Sequence, residues 1–86
     1  MIAPSRAMER TLARSVHSPQ YREFLTKLRQ ARRESGLSHR AVAQALDKPQ
    51  SYVSKCESGE RRVDVVELQA FAALYRRSIE SFLPEL

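Results

Sequence analysis

The sequence has no tryptophan, one cysteine and two glycines in 86 residues. A single cysteine excludes an internal disulfide and any multi-cysteine zinc site. The two histidines, His17 and His39, have no second histidine or cysteine at ligand spacing, so no metal is expected. Gly36 and Gly59 are too few and too far apart for a glycine-rich phosphate loop. No apolar run approaches the roughly 20 residues that cross a bilayer. The arginine-bearing N-terminus lacks the continuous apolar stretch of a secretory signal, which makes a cytoplasmic protein the expectation. Neither a nucleophile–base pair nor a paired-carboxylate cleft can be read. The serines stand mostly at helix starts, and Cys56 falls on an inner helix face as a structural thiol. No enzyme and no cofactor are expected.

What is present points to helices. Hydrophobic residues make up 42% of the chain, enough for one small folded domain. At this length about two-thirds of the surface can be buried. The scarcity of glycine and the i, i+3, i+4 apolar spacing predict an all-α fold. The net charge is +5, unevenly placed. Residues 21–63 hold ten Lys and Arg against five Asp and Glu, whereas residues 64–86 hold two against four. A positive middle segment suits a surface facing phosphate.

Boundaries can be read along the chain. Residues 1–17 form an N-terminal arm, disordered or helical, with Met8, Leu12 and Val16 spaced i, i+4, i+8. Residues 18–86 form the domain. Ser18-Pro19 starts a helix that buries Tyr21, Phe24, Leu25, Leu28 and Ala31, with Gly36 as its left-handed cap. Ser38 caps a second helix ending near Leu46-Asp47. Lys48-Pro49 turns the chain into a third, which Gly59 ends. Asp64 and Glu67 are spaced as a capping box for a fourth helix burying Val66, Leu68, Phe71, Ala72, Leu74 and Tyr75. Ser78 opens a last short helix with Ile79, Phe82 and Leu83, which Pro84 stops. Five helices are expected.

The run 37–59, LSHRAVAQALDKPQSYVSKCESG, carries the function. Val42, Ala43, Leu46, Val53 and Cys56 fall on one inner face. Gln50, Ser51, Tyr52, Ser54 and Lys55 are expected outside. A short helix with an amide, hydroxyls and an ammonium outward suits a DNA major groove.

The pattern Ser38, Val42-Ala43, Leu46, Gln50-Ser51, Val53-Ser54, Glu57-Ser58-Gly59 resembles the phage-repressor and Cro-type (XRE) helix-turn-helix domain over about residues 18–83. The stretch QSYVSKCESGERRVDVVEL is similar to small bacterial regulators of that class. The resemblance implies five packed helices, the third in the major groove, and a two-fold dimer on a palindromic operator. It places Gln50, Ser51 and Lys55 at base edges, with Tyr52 and Ser54 beside them. Gln pairs with adenine, Lys with guanine acceptors and Ser with either. Lys55 can equally reach a phosphate, and the Tyr52 ring can equally lie over a neighbouring helix. His39, Arg40, Lys48, Arg61 and Arg62 are implied phosphate contacts, and Arg32 with Glu57 an internal ion pair. Two positions depart from the family. Glutamine is common where His39 stands, which opens a pH-sensitive contact. Glycine is common where Asp47 stands, and aspartate adopts a left-handed turn at higher cost.

The expected function is sequence-specific binding of double-stranded DNA by a transcriptional regulator of the repressor kind. Ile79, Phe82, Leu83 and Leu86 are the candidate dimer surface, and the Met8, Leu12 and Val16 stripe is the other. The alternative is an antitoxin-like or adaptor module that binds a toxin or other protein and uses DNA binding for autoregulation. No membrane partner is expected.

Overall fold

The computed structural model describes residues 18–85. Among them are four α-helices and no strand: α1 Pro19–Glu34, α2 His39–Ala45, α3 Ser51–Ser58 and α4 Val65–Tyr75. The expected fifth helix is instead a single 3-10 turn, Ile79–Phe82. Its Ser78 hydroxyl accepts from Ser81 N, and the i→i+3 bond Leu83 N to Glu80 O closes it. With Leu83 extended and Pro84 behind it, four residues cannot extend into an α-helix. Residues 1–17 lie outside the described residues, and so do Leu86 and the Met8, Leu12 and Val16 stripe.

Three of the four helix starts are capped by a side chain. The Ser18 hydroxyl accepts from Tyr21 N at 3.1 Å, with Pro19 in the first turn. The Ser38 hydroxyl accepts from Ala41 N at 3.0 Å. At α4 the box is reciprocal: Glu67 N donates to Asp64 Oδ1 at 2.8 Å, and Asp64 N donates to Glu67 Oε1 at 3.0 Å. These bonds satisfy amides that the helix itself leaves unpaired. The turn between α2 and α3 needs a left-handed residue, and Asp47 supplies it at φ 56°. That bend lets Lys48 N reach back to Ala43 O at 2.9 Å. Gly59 ends α3 at φ 85°.

One core joins all the helices. Leu28, Val42, Val53, Cys56 and Phe71 are fully enclosed, with Phe24, Leu25, Ala31, Ala43, Leu68, Ala72 and Tyr75 around them. The turn Ile79–Phe82 contributes Phe82, 1% exposed. Burying a side chain of that size stabilises by about 1.5–3 kcal/mol. Phe82 therefore belongs to the interior of this chain, which removes it from the candidate dimer surface. Two further expectations are corrected. Val66 is 67% exposed, because the buried face of α4 runs through Leu68, Phe71, Ala72 and Tyr75 at i, i+3, i+4, i+7 and leaves Val66 outside it. Tyr52 is 6% exposed, which places it in the core and not on the outer face of α3.

Candidate nucleic-acid interface

The helix α3 divides by position. Tyr52, Val53, Cys56 and Glu57 are buried, at i, i+1, i+4, i+5. Ser51, Ser54, Lys55 and Ser58 are exposed, at i, i+3, i+4, i+7, and Gln50 just before the helix is exposed as well. The two sets occupy opposite faces, as the 3.6-residue period requires. Gln50 sits in a turn with backbone φ −57° and ψ −37°, and makes no capping bond with its side chain. The Ser54 hydroxyl donates to Ser51 O at 3.1 Å, which fixes its rotor while its lone pairs remain outward. Lys55 Nζ lies 3.9 Å from Glu60 Oε2 with both groups well exposed, a contact too weak to hold the ammonium in place. Gln50, Ser51 and Ser54 join His39 in lining an open concavity of about 510 Å³ between the starts of α2 and α3.

Tyr52 is withdrawn from this face by four partners. Its hydroxyl donates to Glu67 Oε2 at 3.0 Å. Arg61 lies 5.0 Å and Lys48 5.3 Å from its ring centroid, within cation–π range. Its ring stacks on Phe71 at 6.0 Å. Burial, then the bond to Glu67, pushes its hydroxyl well above the usual phenol range. A side chain so enclosed cannot also meet a thymine methyl. Burial alone raises the Glu67 carboxyl. Hydrogen bonds from the Asp64 backbone, Tyr52 and Arg61 outweigh it and hold the group below the usual carboxylate range.

The expected phosphate-facing residues divide likewise. Arg40 is exposed at the start of α2. Arg61 Nη1 is 2.6 Å from Glu67 Oε2, so its guanidinium is anchored at one edge while the side chain stays half exposed. Arg62 lies 4.9 Å from the Tyr21 ring centroid. Lys48 keeps its exposed position beside Tyr52.

Beneath this face, Glu57 is 4% exposed and accepts three charged or polar donors. Arg32 donates from Nε to Oε2 at 2.7 Å and from Nη2 to Oε1 at 3.2 Å, a two-point clasp of the carboxylate. His39 Nε2 lies 3.0 Å from Oε1. Arg32 Nη1 also donates to Leu37 O at 2.9 Å, and Arg29 Nη1 to Glu57 O at 3.4 Å. Helices α1, α2 and α3 thus meet at one carboxylate. Sequence reasoning missed the His39 contact and the role of Glu67 as partner of Tyr52 and Arg61. The capping box alone marked Glu67, and no spacing rule connects positions 39 and 57. Burial pushes the Cys56 thiol up, despite the opposing influence of Tyr52 and Arg61, which leaves it poorly nucleophilic.

A second concavity, about 380 Å³, shares no lining residue with the first. Tyr21, Phe24, Val63, Val65, Leu68 and Leu83 give it an apolar wall. Val65 and Leu83 are 68% and 47% exposed. Among the described residues, no helix is long and apolar enough to cross a membrane.

Comparison with known proteins agrees with this geometry. The helix-turn-helix domain family matches residues 23–81. A solved structure titled XRE-family like protein, from Pseudomonas syringae pv. tomato str. DC3000, is 32% identical. The match covers 84% of this chain and 88% of that one, with a TM-score of 0.72. Comparison with curated proteins returns no significant match.

Proposed function

The chain belongs to the XRE-type helix-turn-helix regulators, and on that premise we propose that residues 18–86 bind one DNA sequence through α3 and repress transcription there. The observation that carries the reading is the division of α3. Its inner face is locked in the core, and its outer face offers Gln50, Ser51, Ser54 and Lys55 to the exterior. The contacts on its inner side, apolar and polar together, hold such a helix at a fixed angle, and the polar outer face matches the donors and acceptors of a major groove. Gln50 reads adenine through its amide. Ser51 and Ser54 contact neighbouring base edges, and Lys55 meets a guanine or the adjacent phosphate. His39, Arg40, Lys48, Arg61 and Arg62 set the register on the backbone without reading sequence.

One helix of this length spans only a few base pairs, too few for selectivity in a genome. The protein therefore binds as a two-fold dimer on a palindromic operator, with the two α3 helices about 34–36 Å apart. The apolar patch of Val65 and Leu83 is the pairing surface.

The test is selection of bound duplexes from random DNA, followed by affinity measurements on the selected site and a scrambled one. Gln50→Ala should cost about 1–3 kcal/mol on the selected site and relax selectivity at one base pair. Equal weakening on both duplexes would remove Gln50 from base reading. Failure to enrich any sequence would refute the DNA-binding reading.

A further inference from the structure

The contact between His39 and Glu57 places an imidazole on the same face as Gln50, Ser51 and Ser54. The His39 side chain is 41% exposed, lines the concavity with Gln50, Ser51 and Ser54, and has its Nε2 on Glu57 Oε1. Both Glu57 oxygens already accept from Arg32, so the hydrogen in the His39–Glu57 contact comes from the ring. A neutral imidazole has one N–H. Glu57 uses it, and Nδ1 is left with a lone pair. A lone pair facing a phosphate oxygen makes no hydrogen bond. The protonated ring keeps the bond to Glu57 and gains an Nδ1–H, together with a positive charge.

We propose that His39 makes DNA binding proton-linked: with Nε2–H committed to Glu57, the ring meets a backbone phosphate only in its protonated form. This rests on the DNA-binding reading above. The charged and titratable groups around the pair come from each element packed there. Helix α1 supplies Arg32 and Arg29, the latter on the Glu57 carbonyl. Helix α3 supplies Glu57 itself. Helix α4 supplies Tyr75, whose buried hydroxyl has no partner and whose proton is held tightly, first by burial and then by the nearby Glu57 charge. Arg40 stands beside His39 on α2 and stays charged throughout. Among these groups the imidazole is the one that ordinarily changes charge between about pH 5 and 8.

The sign follows from linkage. A phosphate beside the ring favours the protonated form, so the complex holds the proton to a higher pH than the free protein does. Affinity is full at low pH and falls as pH rises through that interval. One linked proton changes affinity by at most about tenfold per pH unit.

The experiment uses the full chain and the duplex selected above, at constant ionic strength, from pH 6 to pH 8. Wild-type affinity should fall about tenfold over this range. His39→Gln keeps an amide N–H for Glu57 or for phosphate but cannot titrate, and its affinity should stay level. His17→Gln removes the other histidine and should keep the wild-type slope. Calorimetry in buffers of different ionisation heat should show proton uptake on binding by wild type and none by His39→Gln. A melting curve for each variant establishes that it is folded. Tight binding by wild type that does not vary with pH overturns the inference and leaves the DNA-binding reading intact. A slope retained in His39→Gln overturns it likewise. Failure of the selection to yield any duplex overturns both.

Discussion

Replacing Glu57 with glutamine keeps the shape of the side chain and deletes its charge, so the perturbation falls on the groups around it. Arg32 is 12% exposed and loses the anion that clasps it at 2.7 Å and 3.2 Å. One retained bond, to Leu37 O, cannot balance a guanidinium shielded from water. Stranding one partner of a buried pair costs about 3–5 kcal/mol. A small domain has only about 5–15 kcal/mol in total. For a domain of this size each kcal/mol moves the midpoint by about 4–8 °C, so the melting temperature should fall by at least about 12 °C. The exposed pair Lys55–Glu60, at 3.9 Å, supplies the contrast. Its removal should cost less than about 1 kcal/mol. The assay is a thermodynamic cycle of wild type, Arg32→Met, Glu57→Gln and the double variant by urea denaturation. The double variant should be less destabilised than the sum of the singles by about 2 kcal/mol or more, because neither charge is then left unpaired. Additivity within about 0.5 kcal/mol would mean that the two residues are energetically independent, and the reasoning would fail.

Two further perturbations bear on DNA and on pairing. Replacing Arg61 and Arg62 together by alanine should weaken selected and scrambled duplexes alike, and flatten the plot of log affinity against log salt by about 0.9 for each phosphate no longer neutralised. An unchanged slope would show that their charges serve Glu67, Tyr52 and Tyr21 inside the protein and nothing outside it. Val65→Asp with Leu83→Asp alters two exposed side chains, so the fold should survive within about 0.5 kcal/mol for each. If the proposed pairing holds, sedimentation should show a dimer for the wild type and a monomer for this variant. A wild type that is monomeric at micromolar concentration, free and on DNA, would refute the pairing surface.

The helical skeleton was legible because its signals are local. Ser18, Ser38, Asp64 and Ser78 each hydrogen-bond to a backbone amide within three residues, so a four-residue window suffices to read them. The inward positions of α1, α2 and α3 follow from helical period, apart from Tyr52. That ring lies at a boundary angle between the two faces of α3. Its burial is decided by Phe71, Glu67, Lys48 and Arg61, which surround it from other parts of the chain. Val66 failed for the converse reason. The start of α4 is rich in apolar residues all round, and hydropathy there does not say which side is inside. The last segment reads as helix by composition but has too few residues before Pro84 to hold one. The Arg32–Glu57 contact came from family resemblance, since 25 positions separate the two and no periodicity links them. The contact of His39 with Glu57 spans 18 positions and is set by how α2 packs on α3, so it leaves no local signal.

The buried carboxylate also bears on how α3 can work at all. Eight residues make a helix about 12 Å long, too short to persist alone in water. Its direction must therefore come from what grips its inner face. Val53 and Cys56 supply apolar packing with no fixed direction about the helix axis. The directional contacts are polar: Glu57 to Arg32 on α1 and His39 on α2, and Tyr52 to Glu67 on α4. Together they fix rotation and tilt from three helices. In the proposed complex, a loosened clamp would let the outer residues of α3 swing relative to the groove, and base edges would fall out of reach without any of those outer residues being changed. Glu57→Gln should therefore reduce preference for the selected duplex over the scrambled one even at temperatures where the variant is fully folded. An altered selectivity in a residue that cannot touch DNA separates this geometric role from simple stability. Unchanged selectivity in the folded variant would mean that apolar packing alone orients α3.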